Sequence, residues 1–532
     1  MDNNRPRRRE KNVSGPGKTV QKRGNGLGTG PVGSADGYRE QGKGQPGRPD
    51  TRSAGTRNGA GLKLVLLLAV LLLGGGGSLT AFLNGQPEGQ TPSSGQQSVQ
   101  GSTGNTPGTG SVDTGTGSTP GINWMELLGG GNVSSGWQMD ANTGRLDTSV
   151  ASGCREKYTQ LLGDGRDTVT ILVYMCGTDL ESRNGMGTAD LQEMLNARFG
   201  SNMNLLVYTG GCKAWKNSEI SSSSNQIWQV KDGRLENVQK DLGSVSMTNP
   251  DTLSGYIKWG AENYPASRYE LILWDHGGGS VSGYGYDEKF ASSGSMNLAG
   301  LTSALKACNV KFDFIGFDAC LMSTAETALT LSPYADYLIA SEETEPGVGW
   351  YYTDWLTSFG EDTSMPTIQV GQNIVDSFVD TCAQKCRGQL TTLSLIDLAQ
   401  LEHTLPEALE SFFDSTAGLI RDQEYQTISN ARNGAREFAR SSKIDQVDLV
   451  HLAQNLGIPE GKALTDAVLG AVKYNRTSSN MTNAYGLSIY FPYRKTAAVN
   501  RAVSTFEQIG MDEAYTKCIR QFADVAASGQ EV

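Results

Sequence analysis

The apolar positions of this chain fall in short unbroken runs bounded by glycine and polar turns, and two runs dominate the pattern. One is Glu270-Leu271-Ile272-Leu273-Trp274-Asp275-His276, followed by Gly277, Gly278 and Gly279. The other is Phe312-Asp313-Phe314-Ile315-Gly316-Phe317-Asp318-Ala319-Cys320. Apolar runs of about four to eight residues, rich in β-branched and aromatic types, predict strands buried on both faces. Similar runs at 168–175, 204–211 and 336–341 predict further strands. Residues 226–230 with the turn Lys231-Asp232-Gly233 predict a hairpin. Helical spacing marks 189–195, 251–263 and 298–308, and a helix is expected from Leu321 to Leu331. Residues 277–296 are Gly/Ser-rich and predict a long, nearly structureless link between the two dominant strands.

Strands alternating with helices imply an α/β fold, a mostly parallel sheet with helices on both faces. Beyond residue 366 the pattern turns mainly helical (368–385, 398–415), interrupted by strand-like runs at 391–396 and 486–491. The expected units are a lead-in over 122–164, an α/β domain over 165–365 and an α-rich subdomain over 366–528. Residues 1–61 and 84–121 hold too few apolar side chains to offset chain entropy and read as disordered. Between them, 62–83 reads as one transmembrane helix. Leu64 to Leu83 is uncharged and spans about 30 Å as a helix, the thickness of a bilayer core. Four glycines (74–77) weaken this reading, and a cleavable signal peptide competes with it. A signal lies near the N-terminus, however, whereas about 60 residues precede this segment.

Charge orients the span. Residues 1–63 carry 14 Lys/Arg and 5 Asp/Glu, and residues 84–123 carry no Lys or Arg. A basic arm marks the cytoplasmic side, so everything after Leu83 is expected outside the cell on a single-pass anchor. Downstream of the arm, 31 basic residues face 51 acidic ones. That acidity argues against nucleic acid as a partner of the outer domain and favours cationic peptides through long-range attraction.

In open α/β sheets the site lies beyond the carboxyl ends of the strands. His276 and Cys320, 44 positions apart, are then neighbours, with the chemistry of a thiolate nucleophile and its proton-transfer partner. Alone, each residue is weak evidence: a buried thiol is more often packing, and a histidine before glycine can simply end a strand. Their placement at the ends of two similar strands changes the balance, as do the glycines, which let backbone approach a substrate and turn N–H groups toward an oxyanion. The 8 cysteines are scattered singly and form no disulfide framework. With 3 histidines in the chain, no metal site is in view, and Cys382 and Cys386 read as packed thiols.

The block ending Trp274-Asp275-His276-Gly277 and the block ending Phe317-Asp318-Ala319-Cys320 resemble those of clostripain-type cysteine peptidases, in the caspase-like group. The resemblance continues in 173–181 (Val-Tyr-Met-Cys-Gly-Thr-Asp-Leu-Glu) and in 341–347 (Ser-Glu-Glu-Thr-Glu-Pro-Gly), and covers about 165–360 well. It implies a caspase-like sheet and a bacterial endopeptidase acting on peptide or protein substrates, here carried on the membrane anchor expected from residues 62–83. Cys320 would be the nucleophile and His276 the acid–base of a dyad needing no third group. The N–H groups of Gly277 and Cys320 would form the oxyanion hole, and Asp275 would point to the opposite face. Asp318 falls on the same strand face as Cys320 and would line the pocket for Arg or Lys before the cut. The bland reading of Asp318 is a carboxylate bonded to nearby amides. Relatives often carry a second acid where this chain has Val348, and Glu342, Glu343 and Glu345 are nearby candidates. Self-cleavage in the link would fall after Lys289, its only basic residue before Leu298. No cofactor is required by this chemistry. Calcium stays open as a regulator, without an Asp-x-Asp-x-Asp-Gly loop to support it. The competing class is a catalytically silent cell-surface binding module that kept the fold.

Overall fold

A computed structural model describes residues 144–492 and 496–528. The expected basic arm (1–61), membrane span (62–83), linker (84–121) and most of the lead-in lie outside the described residues. Among the described residues no helix is long and apolar enough to cross a membrane.

Nine strands form one sheet in the order β11-β8-β7-β6-β5-β1-β2-β3-β4. Its centre is parallel and holds β1 (Val169–Cys176), β2 (Met203–Gly210), β5 (Arg268–Trp274), β6 (Phe312–Asp318) and β7 (Ala335–Ala340). All eight residues of β1 and all seven of β6 are buried. That explains why these strands read as continuous apolar runs: helices cover both faces, and each fully buried aliphatic side chain contributes about 1.5–3 kcal/mol. Leu172 and Tyr174 pack into one core and Ile171 and Val173 into the other, as strand alternation demands. The antiparallel pair β3 (Gln226–Lys231) and β4 (Arg234–Gln239), the expected hairpin, closes one edge.

The other edge is closed from the far end of the chain. β8 (Thr392–Asp397) adds antiparallel to β7 and β11 (Val472–Thr477) antiparallel to β8, so residues beyond 366 complete the same sheet. They also form a small sheet of β9 (Glu437–Phe438), β10 (Gln446–Asp448) and β12 (Ser488–Tyr490). β9 to β11 carry too few apolar residues in sequence to announce themselves.

Helix starts follow their caps. Asn249 accepts from the N–H of Asp251 and is followed by Pro250, and Asn297 accepts from that of Gly300. Two expectations need correction. The helix after Cys320 is α5 in the series α1 (Thr178–Asn184), α2 (Met186–Asn196), α3 (Pro250–Asn263), α4 (Leu298–Cys308), α5 (Ala325–Leu331), and it starts four residues later than Leu321. Thr324 caps it through the N–H of Thr327, while Leu321 lies in the left-handed region at φ +68°. The link 277–296 is not structureless either. Tyr284 is buried, exchanges backbone hydrogen bonds with Met296, and donates its hydroxyl to the carbonyls of Tyr174 and Trp274. Asp287 accepts from the N–H groups of Met247, Lys289 and Phe290. Polar and aromatic anchors three residues apart hold a segment that composition alone describes as a loop.

Candidate active site

β5 and β6 pair in parallel up to Trp274 opposite Asp318, and each chain runs two residues further before turning. Those residues are His276 and Cys320. Past Cys320 the backbone folds back through the left-handed Leu321, whose N–H donates to the Glu343 carbonyl at 3.1 Å. On the other chain, a Cβ at Gly277 would lie 1.9 Å from the Cys320 carbonyl oxygen and 3.0 Å from its nitrogen. Only glycine permits this approach, so the His-Gly and Cys turns press backbone against backbone. The two N–H groups expected to form an oxyanion hole therefore belong to touching segments.

His276 is buried, and its Nε2 lies 2.9 Å from Oδ1 of Asp179. Its Nδ1 is buried without a hydrogen-bond partner. The Tyr286 ring lies 6.4 Å from the imidazole, centroid to centroid. Asp275 is fully buried. Its two oxygens accept from the N–H groups of His276 and Tyr286, both at 2.6 Å, which ties the His turn to the link. Burial pushes its carboxyl up to about 7, against the pull of His276 and these two amides.

Asp318 is fully buried. Its Oδ1 accepts from the N–H of Trp350 at 3.2 Å and its Oδ2 from the hydroxyl of Tyr352 at 2.9 Å. The bland reading is thus realised in part, and the same two donors fix the carboxylate in place. Glu345 is buried as well and donates its N–H to the Cys320 sulfur at 3.3 Å. The hydrogen bond with Cys386 and burial push the Cys382 thiol up, with the charges of Glu345 and Asp318 adding to the effect. Lys289, half-buried, donates its ammonium to the Ser222 carbonyl at 2.8 Å.

Cys320 has no exposed surface. It packs with Tyr286 of the link and with Phe438, Ala439, Met481 and Ala484 from the C-terminal part. Neither this cover nor Asp179 was foreseen from sequence. The signal for Asp179 lay in the topology: it follows β1, which pairs with β5 in register through Met175 and Trp274. All eight cysteines are free. Among the described residues no group of three or more His, Cys, Asp or Glu could hold a metal ion.

Clostripain of Hathewaya histolytica is 24% identical over 228 residues, covering 37% of this chain and 43% of that protein, so the match spans less than half of the relative. A secreted C11 cysteine protease from Bacteroides thetaiotaomicron, solved with an irreversible peptide inhibitor, is 21% identical. That match covers 65% of this chain and 99% of that one, with a TM-score of 0.49. An inactive zymogen C11 protease from Parabacteroides distasonis is 20% identical over 66% and 97% of the two chains, with a TM-score of 0.45. The sequence profile of the clostripain family, peptidase C11, matches residues 173–504, and the chain belongs to that family.

Proposed function

We propose that the chain is a membrane-anchored, extracellular cysteine endopeptidase that cuts after Arg or Lys. The observation that carries this reading is the pairing of β5 with β6, which brings the His276-Gly277 turn against Cys320 at the carboxyl edge of the sheet. Cys320 attacks the scissile carbonyl as a thiolate and forms an acyl-enzyme. His276 gives the leaving amine its proton and then takes one from the hydrolytic water. The N–H groups of Gly277 and Cys320 receive the oxyanion. Asp318, held by Trp350 and Tyr352 and accompanied by Glu345, anchors the basic side chain before the cut. The second acid missing at Val348 is supplied in this reading by Glu345.

The buried thiol belongs to a precursor. Tyr286 lies in the link three residues before Lys289, and cutting after Lys289 frees one side of the cover. Mass spectrometry of purified protein tests this: the wild type separates into fragments at Lys289, whereas Cys320→Ala and Lys289→Ala stay whole. An intact wild type already able to cleave peptides refutes the processing step.

The same buried thiol favours a second reading, a silent surface-binding module. Labelling by lysyl and arginyl chloromethyl ketones decides between them. A wild type that is labelled while Cys320→Ala is not supports the peptidase, and equal labelling of the two supports the binding module.

A further inference from the structure

We propose that Asp179 is the positioning residue for His276, making the site an ordered line of acid, imidazole and thiol rather than a self-sufficient dyad. The line follows from the sheet. β1, β5 and β6 are consecutive neighbours, and each delivers one group just past its carboxyl end: Asp179, His276 and Cys320. The strand that carries the imidazole therefore runs between the strand that leads to the carboxylate and the strand that leads to the sulfur.

The hydrogen bond fixes which nitrogen does what. Asp179 Oδ1 lies 2.9 Å from Nε2, and an ionised carboxylate only accepts, so Nε2 carries the hydrogen. In the neutral ring Nδ1 is then the bare acceptor. It is also a buried polar atom without a partner, which folded proteins rarely tolerate unless the atom has work to do. Its work here is to take the Cys320 proton. The S–H bond breaks, an Nδ1–H bond forms, and the electron pair left on sulfur becomes the nucleophile. The same Nδ1 proton later passes to the leaving amine. Asp179 receives no proton at any point; it holds the ring and stabilises its positive form.

Asp179 is itself held. It stands in the first turn of α1, directly after Thr178, a non-glycine residue at φ +45°. Backbone held in that region marks a conformation imposed by its surroundings. Arg183, one turn along the helix and about half exposed, lies 3.8 Å from the other carboxylate oxygen. The titratable groups around this centre are Asp179 and Arg183 from α1, Asp275 from the end of β5, Tyr286 and Glu288 from the link, and Cys320.

The inference rests on the peptidase reading, and its test separates the two. The full-length wild type and Asp179→Asn, which keeps the side-chain shape, are compared on peptides with Lys before the cut. Asp179→Asn is expected to lose at least ~100-fold in kcat with KM within about threefold. Its alkaline limb of kcat/KM moves down by about one pH unit, because the imidazolium has lost its counter-charge. Asp179→Glu restores the limb. An active wild type matched by Asp179→Asn in kcat and limb overturns the role of Asp179 alone, as does a loss of activity with an unmoved limb. A wild type that neither processes itself nor cuts peptides overturns the peptidase reading. A second measurement needs no turnover: nitrogen NMR of histidine-labelled Cys320→Ala, with 3 histidines to assign, is expected to show the Nε2–H tautomer at His276. The Nδ1–H tautomer refutes the proposal.

Discussion

Replacing Glu342 by Gln makes the fold less sensitive to alkaline pH. Glu342, in the loop after β7, meets Asp448, the cap of the helix Leu449–Leu456, and both are fully buried. Gly486 donates its N–H to Glu342 at 2.9 Å, and Tyr485 and His451 donate theirs to Asp448 at 2.6 Å each. Burial pushes both acids up, Asp448 to about 7 and Glu342 well above the usual carboxylate range with the neighbouring Asp448 adding to it, so the pair holds a proton. The unfolded chain releases that proton near pH 4, as ordinary carboxyls do. The folded state thus binds more protons than the unfolded state from about pH 4 to 7, so stability falls as pH rises through that window. Between pH 5 and 7, two units at about 1.4 kcal/mol each give ~3 kcal/mol as an upper bound. Roughly 380 described residues, at about 2.1 cal/mol/K each, give an unfolding entropy near 0.8 kcal/mol/K, so the effect on Tm is about 3–4 °C. Gln stays neutral, still accepts from Gly486, and donates to an ionised Asp448. Scanning calorimetry at pH 5 and 8, on a Cys320→Ala background to prevent self-digestion, is expected to show the parent losing about 3–4 °C more than the Glu342→Gln protein. Parallel losses in the two proteins refute the shared proton.

Three further outcomes follow from the geometry. Gly277→Ala sets a methyl group against the Cys320 backbone; it is expected to cost about 1–3 kcal/mol by chemical denaturation and to abolish peptide cleavage even where the protein still folds. Asp318→Asn removes one charge-assisted contact worth about 1.5–3 kcal/mol, so kcat/KM for Arg and Lys peptides falls roughly 10- to 100-fold while peptides with neutral residues there are little changed. Arg268→Met strips the partner from buried Asp313, 2.5 Å away, and from the carbonyls of Thr363 and Met365; a loss of about 3–5 kcal/mol, read as a fall in Tm, is expected.

The central strands were legible because burial on both faces writes itself as unbroken apolar runs, and His276 and Cys320 because each ends such a run. Asp179 was not. Its tie to His276 depends on β1 lying beside β5, and strand order is a long-range property that no local pattern encodes. The cover over Cys320 was hidden for a related reason: Phe438, Ala439, Met481 and Ala484 come from short, mixed segments more than a hundred residues from the thiol in sequence. Composition misled at 277–296, where glycine and serine suggested slack while Tyr284 and Asp287 supplied fixed points.

The late closure of the sheet edge has a consequence for biosynthesis. β7 waits for β8, and β8 for β11 at Val472–Thr477, so the edge stays open until Thr477 has emerged. Met481 and Ala484 arrive later still. The Cys320 turn can therefore form before its cover exists, and the nascent protein passes through an interval of bare thiol and unpaired strand edge that ends only when β11 and the segment holding Met481 and Ala484 have emerged.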